Sequence, residues 1–350
     1  MVTANAVKNE YTARWRDRAL HWEVMSNVLV TGGAGYIGSV TAHLLKRRGF
    51  GVAILDDLSR GYEHNIRGLP FHKLNLLETG AVVEVLRHER VDAVIHFAAH
   101  SMVGESTRKP ELYFLNNDGG SASLFSAMVQ ANVKRLVFSS TAAVYGTPKI
   151  VPIPEDLPFD PVNPYGESKV LVEKMLKWMD TCVGLRSIAL RYFNACGADP
   201  ESGLGEEHNP ETHLIPLLLR AVVSGEPMTI FGDDYDTPDG TCIRDYIHVT
   251  DLAEAHVVAI EKLLAGGASD VFNVGTGAGQ SVLEVMGAVE HVTARKVPHH
   301  IGPRREGDPP VLVANSSKLK RTLGWKPKFP DIKDIVATAW QFETSPAGNL

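Results

Sequence analysis

Val28 to Ser39 reads VLVTGGAGYIGS, a β-rich apolar run that gives way to glycines and then to the helical pattern YIGSVTAHLLKRRG. Gly32, Gly35 and Gly38 stand in the turn, and Gly33, Gly35 and Gly38 also meet the GxGxxG spacing. Glycine answers three needs of such a turn: a sharp reversal, bare backbone that a pyrophosphate can approach, and close packing of helix on strand. The helix N-terminus behind it offers unpaired N–H groups and positive dipole to the phosphates. The spacing alone is common, so its surroundings decide.

Those surroundings repeat the alternation. Apolar runs recur at FGVAILD, FHKLN, VDAVIHFAA, VKRLVFSS and GLRSIALRYFN, with helical patterns around 81–89, over 110–131 and from Tyr165 to Asp180. Near-continuous apolar strands divided by amphipathic helices predict an α/β chain with a doubly wound parallel sheet of Rossmann type. Asp56 ends the second predicted strand, where a carboxylate accepts hydrogen bonds from a ribose diol and repels a 2'-phosphate. With Asp57 beside it, the expected cofactor is NAD, and Arg60 leaves NADP a small opening.

The Rossmann-type domain is read as residues 27–194. After it the texture changes to GADPESGLGEEHNPETH and FGDDYDTPDGT, rich in Gly, Pro and Asp. Long irregular stretches of this kind usually wrap a ligand. Residues 195–345 are therefore read as a smaller, irregular α/β lobe that binds substrate, with some strands returning to the first domain. Residues 1–26 are polar, carry both signs of charge and lack the apolar core of a secretory signal, so they read as an extension, with Met25 as a candidate start.

Composition excludes several roles. The 350 residues carry a formal net charge of -6, which gives no basic footprint for nucleic acid or anionic membrane. No apolar run approaches the roughly 20 residues of a membrane span. The three cysteines, Cys182, Cys196 and Cys242, are widely spaced and read as small buried apolar groups in a reducing compartment. The histidines show no HExxH or related spacing, and no metal is predicted.

NPYGESK, Asn163 to Lys169, sets Tyr165 and Lys169 on one helix face. Alone, this is an ordinary surface helix start with Pro164 in its first turn. Ser139, Ser140 and Thr141 change that reading, because they fall at the carboxyl edge of the sheet, where doubly wound folds bind ligands. Thr141 can hydrogen-bond a substrate hydroxyl while the Tyr165 phenol takes its proton. The Lys169 ammonium and an oxidised nicotinamide would both favour phenolate.

Together, TGGAGYIG and the Ser/Thr…YxxxK set resemble the extended short-chain dehydrogenase/reductase family, and HFAAHSMVGES, LRYFNACGA, DGTCIRDYIHV, FNVGTGAGQSVLEV and RREGDPP resemble its UDP-sugar 4-epimerases more narrowly. The likeness runs from about residue 27 to residue 340. It implies interconversion of UDP-galactose and UDP-glucose through a 4-keto sugar, with tightly bound, recycled NAD. By motif match it assigns Tyr165, Lys169 and Thr141 to catalysis. Around the cofactor it places Gly32, Gly35, Tyr36, Ile37 and Gly38; then Asp56, Asp57, Asn75 and Leu76; then Phe97, Ala98, Ala99 and Asn116; and Ser139, Tyr165, Lys169 and Tyr192. Around the UDP-sugar it places Ser101, Thr141, Tyr165, Phe193 and Asn194; then His213, Leu214, Ile230 and Phe231; and Arg244, Tyr246, Arg305, Asp308 and Leu312. Arginine forks suit phosphate oxygens.

Four positions depart from the family pattern. Asn75 stands where many members have Asp, Ser101 where some have Lys, and His213 where others have Asn. Leu312 holds a position where a tyrosine excludes N-acetylated sugars, so UDP-N-acetylhexosamines remain alternative substrates, and UDP-pentoses do too because the C4 chemistry is the same and only contacts to the C6 hydroxymethyl differ. A nucleotide-sugar dehydratase would need a carboxylate in STAAVYG, which has none. A catalytically silent NAD-binding scaffold would show damage at Tyr165, Lys169 or Thr141, and all three are intact. The resemblance further implies a cytoplasmic homodimer built on the helices at 110–131 and 165–180.

Overall fold

The structure, a computed structural model, describes residues 26–305 and 308–345. The proposed extension lies almost wholly outside the described residues.

Seven parallel strands form the central sheet: β1 (Asn27–Thr31), β2 (Gly51–Asp56), β3 (Phe71–Lys73), β4 (Ala93–His96), β5 (Arg135–Thr141), β6 (Arg186–Tyr192) and, after three strands of the second lobe, β10 (Asp270–Val274). Their order is β10-β6-β5-β4-β1-β2-β3. Side chains alternate between faces along each strand. Val28 and Val30 accordingly pack with Ile54, Ile95 and Phe272 beneath the helices Tyr36–Arg47 and Val249–Leu264. Leu29 packs with Leu55, Val94 and Phe138 beneath Thr79–His88, Gly120–Gln130 and Pro164–Val183. Both faces are covered, which is why the strands read as continuous apolar runs.

The strand order reverses between β1 and β4, and the carboxyl ends of the strands open a crevice at such a point. Over it lies the second lobe. There β9 (Ile243–His248) pairs with β7 (Asn194–Cys196), β11 (Gly279–Ser281) and β13 (Val311–Leu312), and β8 (Met228–Phe231) pairs with β12 (His299–Gly302). Helices Leu214–Ser224, Val282–Thr293 and Ile332–Glu343 share the apolar core of this lobe.

The helix expected over 110–131 is interrupted. Pro110–Tyr113 and Gly120–Gln130 are α-helical, and Phe114–Gly119 between them forms a π turn. The wider turn carries Asn117, whose Oδ1 accepts from the His100 N–H at 2.8 Å and whose Nδ2 donates to the His100 carbonyl and to Ser168 Oγ, both at 3.0 Å. Turns of this type recur at functional sites, and this one faces the helix that carries Tyr165.

Candidate active site

One cavity of about 1290 Å³ runs between the lobes, and every residue placed around the cofactor or the UDP-sugar from the sequence is on its wall, whereas Ser140 is turned away to Glu173. At one end is the glycine turn. Gly32 has φ +70°, and a Cβ there would come within 2.5 Å of the Ala98 nitrogen. A Cβ on Gly38 would lie 2.2 Å from the Gly32 carbonyl oxygen, so the helix can start this close to the strand only with glycine. Gly35 has open space on its Cβ side apart from the Gly32 oxygen at 3.4 Å, leaving backbone bare to the crevice.

Asp56 closes this end. Its oxygens accept from the N–H groups of Ala34 at 3.0 Å and Leu58 at 2.8 Å, and burial pushes its carboxyl above the usual range. Asp57 accepts from Asn75 Nδ2 at 2.7 Å and from the Ser59 N–H at 2.9 Å. Arg60, which sequence reading held open as a 2'-phosphate partner, is turned to Glu105 at 2.7 Å. Two carboxylates beside a bare-backbone phosphate cradle fit NAD: the acids match a free ribose diol, and the nearest cation is engaged elsewhere.

Midway, the helix Pro164–Val183 delivers the phenol and the amine. Asn163 caps it by accepting from the Gly166 N–H at 2.8 Å, and Pro164 occupies its first turn. A Cβ on Gly166 would meet the Ala143 carbonyl at 2.7 Å, so glycine lets the helix start against the Thr141 loop. Tyr165 is 7% exposed and Lys169 4%. Lys169 Nζ donates to the Ser139 carbonyl at 2.9 Å, 5.9 Å from the centre of the Tyr165 ring. Ser139 Oγ and the Tyr192 hydroxyl are hydrogen-bonded at 2.8 Å.

Burial pushes the Tyr165 phenol well above its ordinary range, and a hydrogen bond with Thr141 works against that rise. Burial lowers Lys169 to about 8, opposed by the charges of Asp118 and Glu173. Burial thus works against the phenolate, and a positive charge beside the phenol, as an oxidised nicotinamide would provide, favours it.

The far end is built by the second lobe. Arg244, on β9, pairs with Asp308, and the Arg305 guanidinium stacks 4.1 Å above the Phe231 ring. Asn194, Phe193, His213, Leu214, Ile230, Tyr246 and Leu312 complete this wall. The central acid of IRDY, Asp245, is fully buried and accepts from the backbone N–H groups of Thr276, Gly277 and Ala314, tying β9 to the loop after β10 and to the segment after β13.

Sequence reading missed three features of the site. Asp118, on the π turn, buries both carboxylate oxygens without a hydrogen-bond partner near Lys169. Its one signal was an acid in the middle of a helical stretch whose only other charge is Glu111 near its start. Cys242, given no role, lies on the cavity wall. So does His208, in the loop that leads to His213.

Comparison with known proteins agrees with this geometry. The family model for the NAD dependent epimerase/dehydratase family matches residues 28–275. A UDP-glucose 4-epimerase of Lactobacillus helveticus is 49% identical over 320 residues, 91% of this chain and 97% of that protein. The crystal structure of UDP-glucose 4-epimerase from Brucella ovis in complex with NAD superposes with a TM-score of 0.88 at 45% identity, covering 90% of this chain and 98% of that one. That of the Bifidobacterium longum enzyme in complex with NAD+ and UDP gives 0.86 at 38% identity, covering 93% and 100%.

Proposed function

The chain belongs to the NAD dependent epimerase/dehydratase family, and on that premise we propose that it interconverts UDP-galactose and UDP-glucose at sugar C4 with a resident NAD. One observation carries the reading: a buried Tyr165–Lys169 pair lies midway along a cavity that has a phosphate cradle with paired carboxylates at one end and arginines at the other.

The chemistry NAD supplies in this site is reversible hydride acceptance at C4 of the sugar. Tyr165 takes the proton of the sugar 4-hydroxyl and later gives it back, while Thr141 hydrogen-bonds the same oxygen. Lys169, anchored on the Ser139 carbonyl, keeps a positive charge near the phenol and so favours its ionised form. Gly32, Gly35 and Gly38, with Tyr36 and Ile37, cradle the pyrophosphate of the dinucleotide. Asp56 and Asp57 take a ribose diol, and Asn75 and Leu76 border the adenine. Phe97, Ala98, Ala99, Asn116, Ser139 and Tyr192 line the path to the nicotinamide.

Arg244 and Arg305 hold the diphosphate of the substrate, with Asp308 orienting Arg244. The remaining wall residues of the far end, with Ser101, enclose the uridine and the sugar. The 4-keto sugar turns about its diphosphate link and presents its other face, which requires firm grip on the nucleotide and a loose one on the hexose. The labour divides at about residue 194, with dinucleotide bound before it and UDP-sugar mainly after it.

Among the described residues no helix is long and apolar enough to cross a membrane. We place the enzyme in the cytoplasm as a homodimer, supported by Leu115 and Trp178, exposed by 61% and 67% on the two helical segments named for the contact. Sedimentation at the mass of one chain would contradict the dimer. The test of function is incubation with UDP-galactose and no added NAD. Appearance of UDP-glucose supports the reading, and an unchanged sugar nucleotide from protein that carries NAD contradicts it.

A further inference from the structure

The loop between β7 and the helix Leu214–Ser224 brings four ligand-type side chains to one point. Glu206, His208, Glu211 and His213 each turn one donor atom inward, and these atoms all lie within 4.8 Å of one another. His208 Nδ1 is 3.3 Å from Glu206 Oε1 and 3.7 Å from Glu211 Oε2. His213 Nδ1 is 2.5 Å from Glu206 Oε1 and 3.4 Å from Glu211 Oε1.

The cluster is poorly made as a hydrogen-bond network. Glu206 Oε1, His208 Nδ1 and Glu211 Oε2 are buried and have no partner in hydrogen-bonding geometry, although they face one another. The Glu206 side chain is only 5% exposed and that of Glu211 not at all. Their contacts with one another are ion pairs without good hydrogen-bond geometry, and buried polar atoms so placed are costly unless something else satisfies them. Glu211 is also held in place from behind, because its Oε1 accepts from the N–H groups of Thr212 at 2.7 Å and His213 at 2.8 Å. That leaves Oε2 directed into the cluster.

The spacings suit a cation better. A tetrahedral ion about 2.1 Å from each ligand sets its ligand atoms roughly 3.4 Å apart. Of the three separations measured to Glu206 Oε1 and Glu211 Oε2, the two from His208, 3.3 and 3.7 Å, are near that value, and the His213–Glu206 edge must open. Two carboxylates balance a divalent charge. Two imidazole nitrogens favour a borderline ion such as zinc over magnesium or calcium, which take oxygen ligands.

The geometry points to a divalent transition-metal site of zinc type, with Glu206, His208, Glu211 and His213 as its four protein ligands. With all four positions taken by side chains, the ion is structural. It ties the loop to the base of the Leu214 helix and so fixes the part of the cavity wall that His213, its side chain half exposed, contributes. The spacing Glu-x-His-x-x-Glu-x-His matches none of the ligand patterns sought in the sequence, which is why no metal was expected.

The test uses the full chain with its NAD retained, dialysed against EDTA and titrated calorimetrically with Zn2+. One equivalent should bind, and zinc X-ray absorption should report two imidazoles and two carboxylate oxygens. His208→Gln and Glu211→Gln, checked for fold by circular dichroism, should each lose the stoichiometric binding. No bound equivalent in the wild-type protein, an all-oxygen or thiolate environment, or full binding retained in both folded variants would overturn the site. None of these readouts depends on turnover, so the site stands or falls separately from the reaction assigned above.

Discussion

Lys169 donates its ammonium hydrogen bond to the Ser139 carbonyl at 2.9 Å, and this anchor sets the charge 5.9 Å from the Tyr165 ring centre. The ammonium is a fixed part of the sheet edge rather than a mobile side chain. A nearby positive charge favours the ionised phenol, so its removal leaves the burial that raises Tyr165 opposed by the Thr141 hydrogen bond without that help. Lys169→Met should therefore move the acid limb of the pH–rate profile to higher pH as well as lower the rate. A profile that keeps its wild-type shape would show that the ammonium does not tune the phenol.

Glu173 and Arg191 form a buried ion pair, with side chains 8% and 5% exposed and a closest approach of 2.6 Å. Ser140 Oγ also donates to Glu173, and Arg191 donates to the Tyr145 hydroxyl and the Glu155 carbonyl. Removing one partner strands the other charge. Glu173→Ala should lower the unfolding free energy by about 3–5 kcal/mol, read from urea denaturation at pH 7. A loss indistinguishable from that of an exposed pair would contradict the assignment.

Three buried histidines predict acid sensitivity. Burial holds His96 down to about 3, with Lys169 adding to the effect, and holds His248 and His256 down to about 4. Each folded value lies below the unfolded one near 6.5, so between those limits the unfolded chain binds more protons. Stability is then full above about pH 6.5 and declines as pH falls toward 4. Chemical denaturation at pH 7 and pH 5 should show the decline, and His256→Phe should reduce it. An equal decline in the variant would exclude His256 as a contributor.

Leu312 lines the far end of the cavity from β13, beside Phe193. If this side chain sets the size limit at C2 of the sugar, the wild-type protein should turn over UDP-N-acetylglucosamine measurably. Leu312→Tyr should abolish that activity and spare UDP-galactose. Equal loss on both sugars would assign the residue a structural part instead.

The sequence made legible those features that follow from local chemistry. The glycine turn at Gly32–Gly38, the apolar strands and the Tyr165–Lys169 face are each dictated by a few adjacent residues, and each stands where its pattern predicts. The π turn at Phe114–Gly119 left no such trace, because its backbone stays helical on both sides and the apolar pattern continues across it. Asp118 could not be recognised as buried until that turn was seen. The convergence of Glu206, His208, Glu211 and His213 lies in a loop, where no periodicity tells which side chains meet. The pairing of β10 with β6 crosses most of the second lobe, and parallel partners this remote are set by packing rather than by local pattern.

The most direct measurement of the central claim is turnover by Tyr165→Phe in protein whose fold and NAD content match the wild type. Loss of the single proton-transfer group should lower kcat by about 10²–10⁴-fold, with sugar-nucleotide binding retained. Interconversion of UDP-galactose and UDP-glucose at the wild-type rate would contradict the account.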